Sequence, residues 1–226
     1  MKIVIDEHGP YLVYGRIPIR QQFIEPDADG FSWSYRTVDK NYTLPKEPTA
    51  LCRCGGSKNK PYCDGSHLHV VWNPNLTASV EPLLGGAKRF VGPTLTLADN
   101  EKFCAFARFC EARGRTWNLN EESDDPQKRE AAIRTAEHCP AGRLTEWDNQ
   151  SGKPFEPQLE HSIGLLEDSA LGLSAGLWVQ GGVDIISKSG LKYENRNRVT
   201  LCRCGGSSNK PYCDGTHATM KFKDGL

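Results

Sequence analysis

Apolar and polar residues alternate over several short stretches of this chain, a pattern typical of half-buried β-strands. Residues 12–19 and 178–185 share one pattern, in which an apolar residue and Val precede a Gly and an Ile closes the stretch. Residues 1–6 have the same strand-like character. Residues 190–194 are predicted to form a hairpin with residues 198–201. The pattern thus predicts short strands in both the first and the last third of the chain.

The middle of the chain predicts a helix. Asp124, Asp125 and Pro126 form a helix-start signal, and residues 127–137 are polar and rich in alanine. Such a helix would place Cys139 just beyond its last turn.

Two nearly identical segments, residues 51–67 and 201–217, contain most of the candidate chemistry. They differ at positions 58/208 and 66/216. Each has three cysteines and one histidine in the order C-x-C-x8-C-x3-H. The donors are Cys52, Cys54, Cys63 and His67 in the first copy and Cys202, Cys204, Cys213 and His217 in the second. A repeat that preserves four soft donors indicates a metal or iron–sulfur site that is built twice.

The spacing of the donors favours convergence within each copy. Cys52 and Cys54 are one residue apart and can face one centre, and the two glycines that follow allow close approach of the backbone. Asp64 is a good helix N-cap, so Cys63 and His67, four positions apart, are expected on one face of a short helix.

Spacing alone leaves the bound group open. A Cys3His set is a known zinc arrangement, whereas iron–sulfur clusters normally use four cysteines, with histidine as an occasional replacement. Disulfides are disfavoured because the chain has nine cysteines, an odd number. Buried thiols without a ligand would not explain why the histidine and both glycines repeat in register.

Both segments resemble the CDGSH iron–sulfur domain of the mitoNEET-like family, whose signature is C-x-C-x2-[ST]-x3-P-x-C-D-G-[ST]-H. Every position of the signature is filled in each copy. The positions between the listed donors are Ser57, Pro61, Asp64, Gly65 and Ser66 in one copy and Ser207, Pro211, Asp214, Gly215 and Thr216 in the other.

This resemblance implies that each copy binds one 2Fe–2S cluster, with two cysteines on one iron and Cys plus His on the other. It also implies an α+β fold, mainly β with short helices. The two cluster-binding lobes and a β-cap would form an intramolecular pseudo-dimer around a small central ferredoxin-like insert. Arg53 and Arg203 are expected to support the negative charge of the clusters.

The other three cysteines, Cys104, Cys110 and Cys139, lie between the copies. Their spacing, C-x5-C followed by C-P-x-G, resembles a divergent single-cluster 4Fe–4S ferredoxin domain. That resemblance implies a third cluster, either 3Fe–4S or 4Fe–4S, for which His138 and His161 are fourth-donor candidates without motif support. The alternative is that the three thiols are part of a hydrophobic core.

These motifs predict three domains: a first CDGSH-type domain (1–80), a central Cys-rich segment (81–149) and a second CDGSH-type domain (150–226). Lys plus Arg and Asp plus Glu both number 28, so binding to nucleic acid or to a membrane surface is not expected. Reduced thiols favour the cytoplasm. Because one chain contains both copies, we expect a monomer.

The expected function is one-electron transfer or the transfer of iron–sulfur clusters. The partner would be a ferredoxin, a flavoprotein reductase or an apo iron–sulfur acceptor protein. No catalytic triad, phosphate loop or dinucleotide fingerprint is present, so we do not expect an enzyme. One alternative is a module that senses iron or redox state or stores clusters. Another is an enzyme subunit that needs a flavin or reductase partner.

Overall fold

The computed structural model describes residues 1–38, 40, 42–44 and 46–226. β-Strands predominate in this part of the chain, and the helices are short. The strands are β1 (Lys2–Ile5), β2 (Tyr11–Tyr14), β3 (Ile19–Pro26), β4 (Ser32–Val38), β5 (Thr49–Leu51), β6 (Lys88–Val91), β7 (Leu95–Asp99), β8 (Leu144–Asp148), β9 (Ser162–Asp168), β10 (Leu173–Gln180), β11 (Asp184–Ser187) and β12 (Arg198–Leu201). The α-helices are α1 (Thr116–Glu121), α2 (Pro126–Glu137) and α3 (Thr216–Thr219), and 3-10 turns lie at Ser66–Leu68, Leu83–Gly86, Glu101–Phe103 and Phe109–Gly114.

The two predicted strand stretches each form two strands separated by a glycine turn. β2 ends before Gly15 (φ 93°) and β10 ends before Gly181 (φ 80°). Glycine adopts these positive φ values without steric cost. The chain then enters β3 and β11, respectively.

The predicted hairpin of residues 190–194 with residues 198–201 is wrong. β12 pairs with β10, with Thr200 opposite Trp178, and Lys192 instead forms a bridge with Ile186. Pairing with β10 buries all four residues of β12, which a surface hairpin would not do.

The two halves of the chain exchange strands. The first sheet has the order β11-β1-β2-β5, and the second has the order β12-β10-β9-β3-β4. β11 from the second copy therefore pairs in parallel with β1, and β3 from the first copy pairs in parallel with β9. This exchange produces the two-lobed pseudo-dimer with a β-cap that the sequence predicted.

One hydrophobic core joins the two copies. Ile3 and Val13 from the first copy pack in the same cluster as Ile163, Val179 and Ile185 from the second. Neither half could bury its apolar residues alone, so the two copies are expected to fold as one unit.

The central insert has its own small sheet, β6-β7-β8, against which α1 and α2 pack through Leu119, Ala132 and Ala136. α2 begins at Pro126 as predicted, with the Asp125 carboxylate accepting hydrogen bonds from two amides of its first turn. The buried Arg198 of β12 donates to the carbonyls of Ala136, Glu137 and Cys139. This arginine therefore attaches the end of α2 to the second copy.

Candidate metal centres

Each CDGSH-type loop starts directly after a strand and closes back onto it. In the first copy the amide of Cys63 donates to the carbonyl of Ala50 at 2.9 Å, and the amide of Cys52 donates to Pro61 at 2.8 Å. The Ser57 hydroxyl fixes the loop from inside by donating to the carbonyl of Tyr62 at 2.6 Å. The second copy repeats these bonds: Cys213 to Thr200 at 2.8 Å, Cys202 to Pro211 at 2.8 Å and Ser207 to Tyr212 at 2.7 Å.

The four donors of each copy form two pairs. In the first copy the Sγ atoms of Cys52 and Cys54 are 3.8 Å apart, and Cys63 Sγ is 3.4 Å from His67 Nδ1. The corresponding distances in the second copy are 3.8 Å for Cys202 and Cys204 and 3.3 Å for Cys213 and His217. Two ligands of one tetrahedral metal, with bonds of about 2.0 to 2.3 Å, lie about 3.3 to 3.8 Å apart. Each pair is therefore spaced like two ligands of one metal atom.

The pairs do not merge into one larger group. Within the described residues, no three side chains of His, Cys, Asp or Glu surround a common metal position.

The environment favours ionisation of one thiol in each copy. The hydrogen bond from the Cys54 thiol lowers the pKa of Cys52 to about 6, and the corresponding bond from Cys204 lowers the pKa of Cys202 to about 7. Burial lowers the pKa of His217 to about 4, so its imidazole is neutral at pH 7. A thiolate and a neutral imidazole are the forms that bind metals.

The arginine between the first two cysteines is fully buried in each copy. Arg53 donates to the carbonyls of Asp6, Glu7 and Gly9 at 2.6–2.9 Å. Arg203 donates to two carbonyls of the second lobe and to Glu167. These bonds fix the C-x-C turns to neighbouring segments, and the expected support of cluster charge stays a prediction.

The two loops meet at their glycines. A Cβ atom on Gly55 would lie 2.4 Å from the carbonyl oxygen of Cys204, and one on Gly205 would lie 2.3 Å from that of Cys54. The first glycine of each motif therefore allows close approach of the other copy's backbone.

The three central cysteines line one cavity, together with Arg143 and residues 105–109. Cys104 follows the turn Glu101–Phe103, and Cys110 lies in the turn Phe109–Gly114. Cys139 follows α2, as predicted. Burial raises the pKa of Cys110 to about 12.

The fourth-donor candidates do not join this cavity. The ring of His138 packs against Tyr35 and Phe109, and its Nδ1 lies 2.8 Å from the carbonyl of Arg134. His161 is exposed. The side chain that lines the cavity midway between Cys104 and Cys110 is Ala107. The spacing C-x2-A-x2-C in the sequence could have identified this position, because ferredoxin cysteines occur at C-x2-C-x2-C.

Sequence reasoning also missed a buried tyrosine that links the copies. The Tyr11 hydroxyl of β2 donates to the carbonyls of Cys202 (2.8 Å) and Pro211 (3.2 Å) in the other copy's loop. The sequence could not predict this bond because it depends on the strand exchange.

The paired soft donors and the cysteine-lined cavity define a metal-binding protein of the iron–sulfur class. The family model of the iron-binding zinc finger of CDGSH type matches residues 8–68 and 175–218. The model of a divergent 4Fe-4S mono-cluster matches residues 90–149. The chain is thus an iron–sulfur protein that contains two CDGSH-type domains on either side of a divergent 4Fe–4S domain.

The other two comparisons give no relative: no curated protein and no solved structure matches the chain. In the part of the chain that the structure describes, no helix has the length and apolar character needed to cross a membrane.

Proposed function

We propose that each CDGSH-type copy binds one 2Fe–2S cluster through three cysteines and one histidine. Cys52 and Cys54 would bind one iron, and Cys63 and His67 the other. In the second copy the pairs would be Cys202 with Cys204 and Cys213 with His217. The distances within each pair, which are those of two ligands on one metal atom, carry this proposal. A zinc ion would need all four donors on one atom.

The surrounding residues suit an anionic group. The amide of Gly56 donates to the sulfur of Cys54 at 3.4 Å, and the amide of Gly206 donates to the sulfur of Cys204 at the same distance. Such bonds stabilise negative charge on a ligating sulfur. A neutral imidazole in place of a fourth thiolate makes the donor set less negative. When bound, a 2Fe–2S cluster can accept and release one electron.

We further propose that Cys104, Cys110 and Cys139 bind a third cluster, either 3Fe–4S or 4Fe–4S. The shared cavity and the match to a 4Fe–4S domain support this assignment. With Ala107 at the remaining ferredoxin position, the chain supplies three thiolates there.

The protein would carry single electrons, or pass assembled clusters, between partner proteins, and would not act as an enzyme. A ferredoxin or flavoprotein reductase suits the first role, and an apo iron–sulfur protein suits the second. All nine cysteines are free thiols, which supports a reducing compartment such as the cytoplasm.

The test is a count of iron and acid-labile sulfide on anaerobically purified protein, with visible and EPR spectra before and after dithionite. Two 2Fe–2S clusters require about four irons and four sulfides per chain, and a third cluster raises the iron count to about seven or eight. Zinc without sulfide would refute the 2Fe–2S assignment. Four irons without a further EPR signal would refute the third cluster alone.

A further inference from the structure

We propose that the two CDGSH-type copies have different tasks: the first exchanges its cluster with acceptor proteins, and the second retains its cluster because the central insert covers it. This inference rests on the proposed function, since it requires both copies to bind clusters. It adds to the proposed function which copy exchanges its cluster and which part of the protein prevents exchange at the other copy.

The second cysteine–histidine pair is buried and the first is not. Cys213 is 2% exposed and His217 is 3% exposed. Cys63 and His67 are both partly exposed, and the next residue, Leu68, is 73% exposed. The first pair is thus accessible from solvent, whereas the second is enclosed by protein.

The central insert contributes to this enclosure through a segment that we call the covering loop (residues 102–108). Ala105 packs with Cys213 and with Ala141 from the segment after α2. A Cβ atom on Gly215 would lie 3.1 Å from Cβ of Phe106 and 3.5 Å from the carbonyl of Cys104. The covering loop therefore lies directly against the Cys213–His217 turn.

Two polar contacts hold the covering loop in place. Arg108 forms a salt bridge of 2.5 Å with the buried Asp168 at the end of β9. The side-chain amide of Asn209, in the second motif, donates to the carbonyl of Lys102 at 2.7 Å. These contacts fix the loop to the second copy at both of its ends.

The first copy lacks this cover in the described structure. A Cβ atom on Gly65, the counterpart of Gly215, would meet nothing within 4 Å. Asn59, the counterpart of Asn209, is exposed.

The asymmetry does not arise from the motifs themselves. They differ at two positions. One contact after each motif is also shared, since Val70 lies over Gly56 and Met220 lies over Gly206. The chain has two similar copies but a single insert, which packs against the second copy.

Cluster exchange requires access to these ligands. In a transfer from the first copy, the four bonds from the irons to Cys52, Cys54, Cys63 and His67 break, and four bonds to acceptor ligands form. The three thiolates left behind take up three protons, a four-cysteine acceptor releases four, the fourth goes to solvent, and no electron moves. An acceptor thiolate can approach the partly exposed pair directly, whereas at the second copy the covering loop must first open.

The experiment measures transfer from the fully loaded protein to the apo form of a plant-type 2Fe–2S ferredoxin. Iron and sulfide are counted beforehand, so that a failure to bind two clusters, which refutes the proposed function, is separate from the result of the transfer. We expect two phases of equal amplitude, the slower by about tenfold or more, because opening of the covering loop precedes the second transfer.

Two double variants assign the phases. Cys204→Ala/Cys213→Ala keeps the first site and should show the fast phase, and Cys54→Ala/Cys63→Ala keeps the second and should show the slow phase. Iron content confirms that each retains one 2Fe–2S cluster. If either variant fails to bind its cluster, the two transfer phases of the wild-type protein are followed instead by their visible spectra.

Two single variants test the cover. Arg108→Ala and Asn209→Ala should accelerate the slow phase at least severalfold and leave the fast phase unchanged. Asn59→Ala, the matched change in the first copy, should alter neither phase. Equal rates at the two sites, faster transfer from the second, or a slow phase insensitive to both cover variants would overturn the proposal.

Discussion

The pairing of an imidazole with a cysteine sulfur in each copy is the feature on which the redox account depends at the scale of single residues. His67 and His217 lie 3.4 and 3.3 Å from their partner thiols. Replacing either histidine by cysteine would exchange a neutral donor for an anionic one.

We expect His67→Cys and His217→Cys to lower the reduction potential of the altered site by on the order of 100 mV, because added negative charge disfavours the reduced cluster. Cluster loss in acid should also slow, since protonation of an imidazole no longer competes with iron binding. EPR-monitored redox titrations and the decay of visible absorbance measure both effects. His69→Ala, at an exposed histidine outside the motif, is the control, and unchanged potentials in both cysteine variants would contradict this role.

Ala107 lines the cavity of the three central cysteines and, in the sequence, occupies the position where a ferredoxin has a further cysteine. We expect Ala107→Cys to supply a fourth thiolate, so that the iron content after exposure to air rises from about seven to about eight per chain. Iron analysis with EPR before and after air measures this change. If iron content and spectra match the wild type, the fourth corner of the cluster does not face this position.

Glu146 of β8 gives the insert a pH-dependent stability. Burial raises its pKa to about 7, above the usual 4.5 of a glutamate, although Asn120 donates to its carboxylate at 2.9 Å. At pH values between 4.5 and about 7, Glu146 has lost its proton in the unfolded chain but keeps it in the folded chain. The stability of the fold therefore falls as pH rises through this range.

Glu146→Gln should remove this dependence. Relative to wild type, its free energy of unfolding should increase by about 1 to 2 kcal/mol between pH 6 and pH 8.5. Denaturant unfolding of both proteins at the two pH values measures the difference in their free energies of unfolding. Other pH effects cancel in this difference because both proteins share them. A constant difference would show that Glu146 titrates normally.

At the scale of structural elements, the contact between the two cluster loops joins the lobes. Gly55 and Gly205 have φ values of 77° and 80°, and a Cβ atom on either would collide with the other copy's backbone. We expect Gly55→Ala and Gly205→Ala each to destabilise the protein by about 2 to 4 kcal/mol.

Thermal unfolding measures this effect, with Gly30→Ala as the matched control. Gly30 also has a positive φ, 85°, but a Cβ atom there would meet nothing within 4 Å, so its variant should lose only about 1 kcal/mol. Equal losses in all three variants would mean that backbone strain, and not the contact between lobes, sets the cost.

The elements differ in how far the sequence could predict them. β1 and α2 were predictable because their signals are local: an alternating apolar run and an Asp-Asp-Pro helix start. The donors were predictable because the motif repeats. The partner of β12 and the exchange of β3 and β11 were not, since pairing depends on burial between distant segments. The cover over Cys213 has the same origin, because the contact of Ala105 with this cysteine depends on how the insert packs.

At the scale of the whole molecule, the strand exchange joins two CDGSH-type copies within one chain. Two separate chains could otherwise form the same pairing. The core that joins both copies is already buried. We therefore expect a monomer at micromolar concentration, measured by light scattering coupled to size-exclusion chromatography. A concentration-dependent dimer would show that a further surface pairs between chains.

The most direct test of the central claim is pulsed EPR on the dithionite-reduced protein labelled with ¹⁵N-histidine. Ligation by His67 and His217 predicts a strongly coupled imidazole nitrogen for each 2Fe–2S signal. This coupling should disappear from the first site in His67→Cys and from the second in His217→Cys. Two 2Fe–2S signals without nitrogen coupling would contradict the Cys3His assignment.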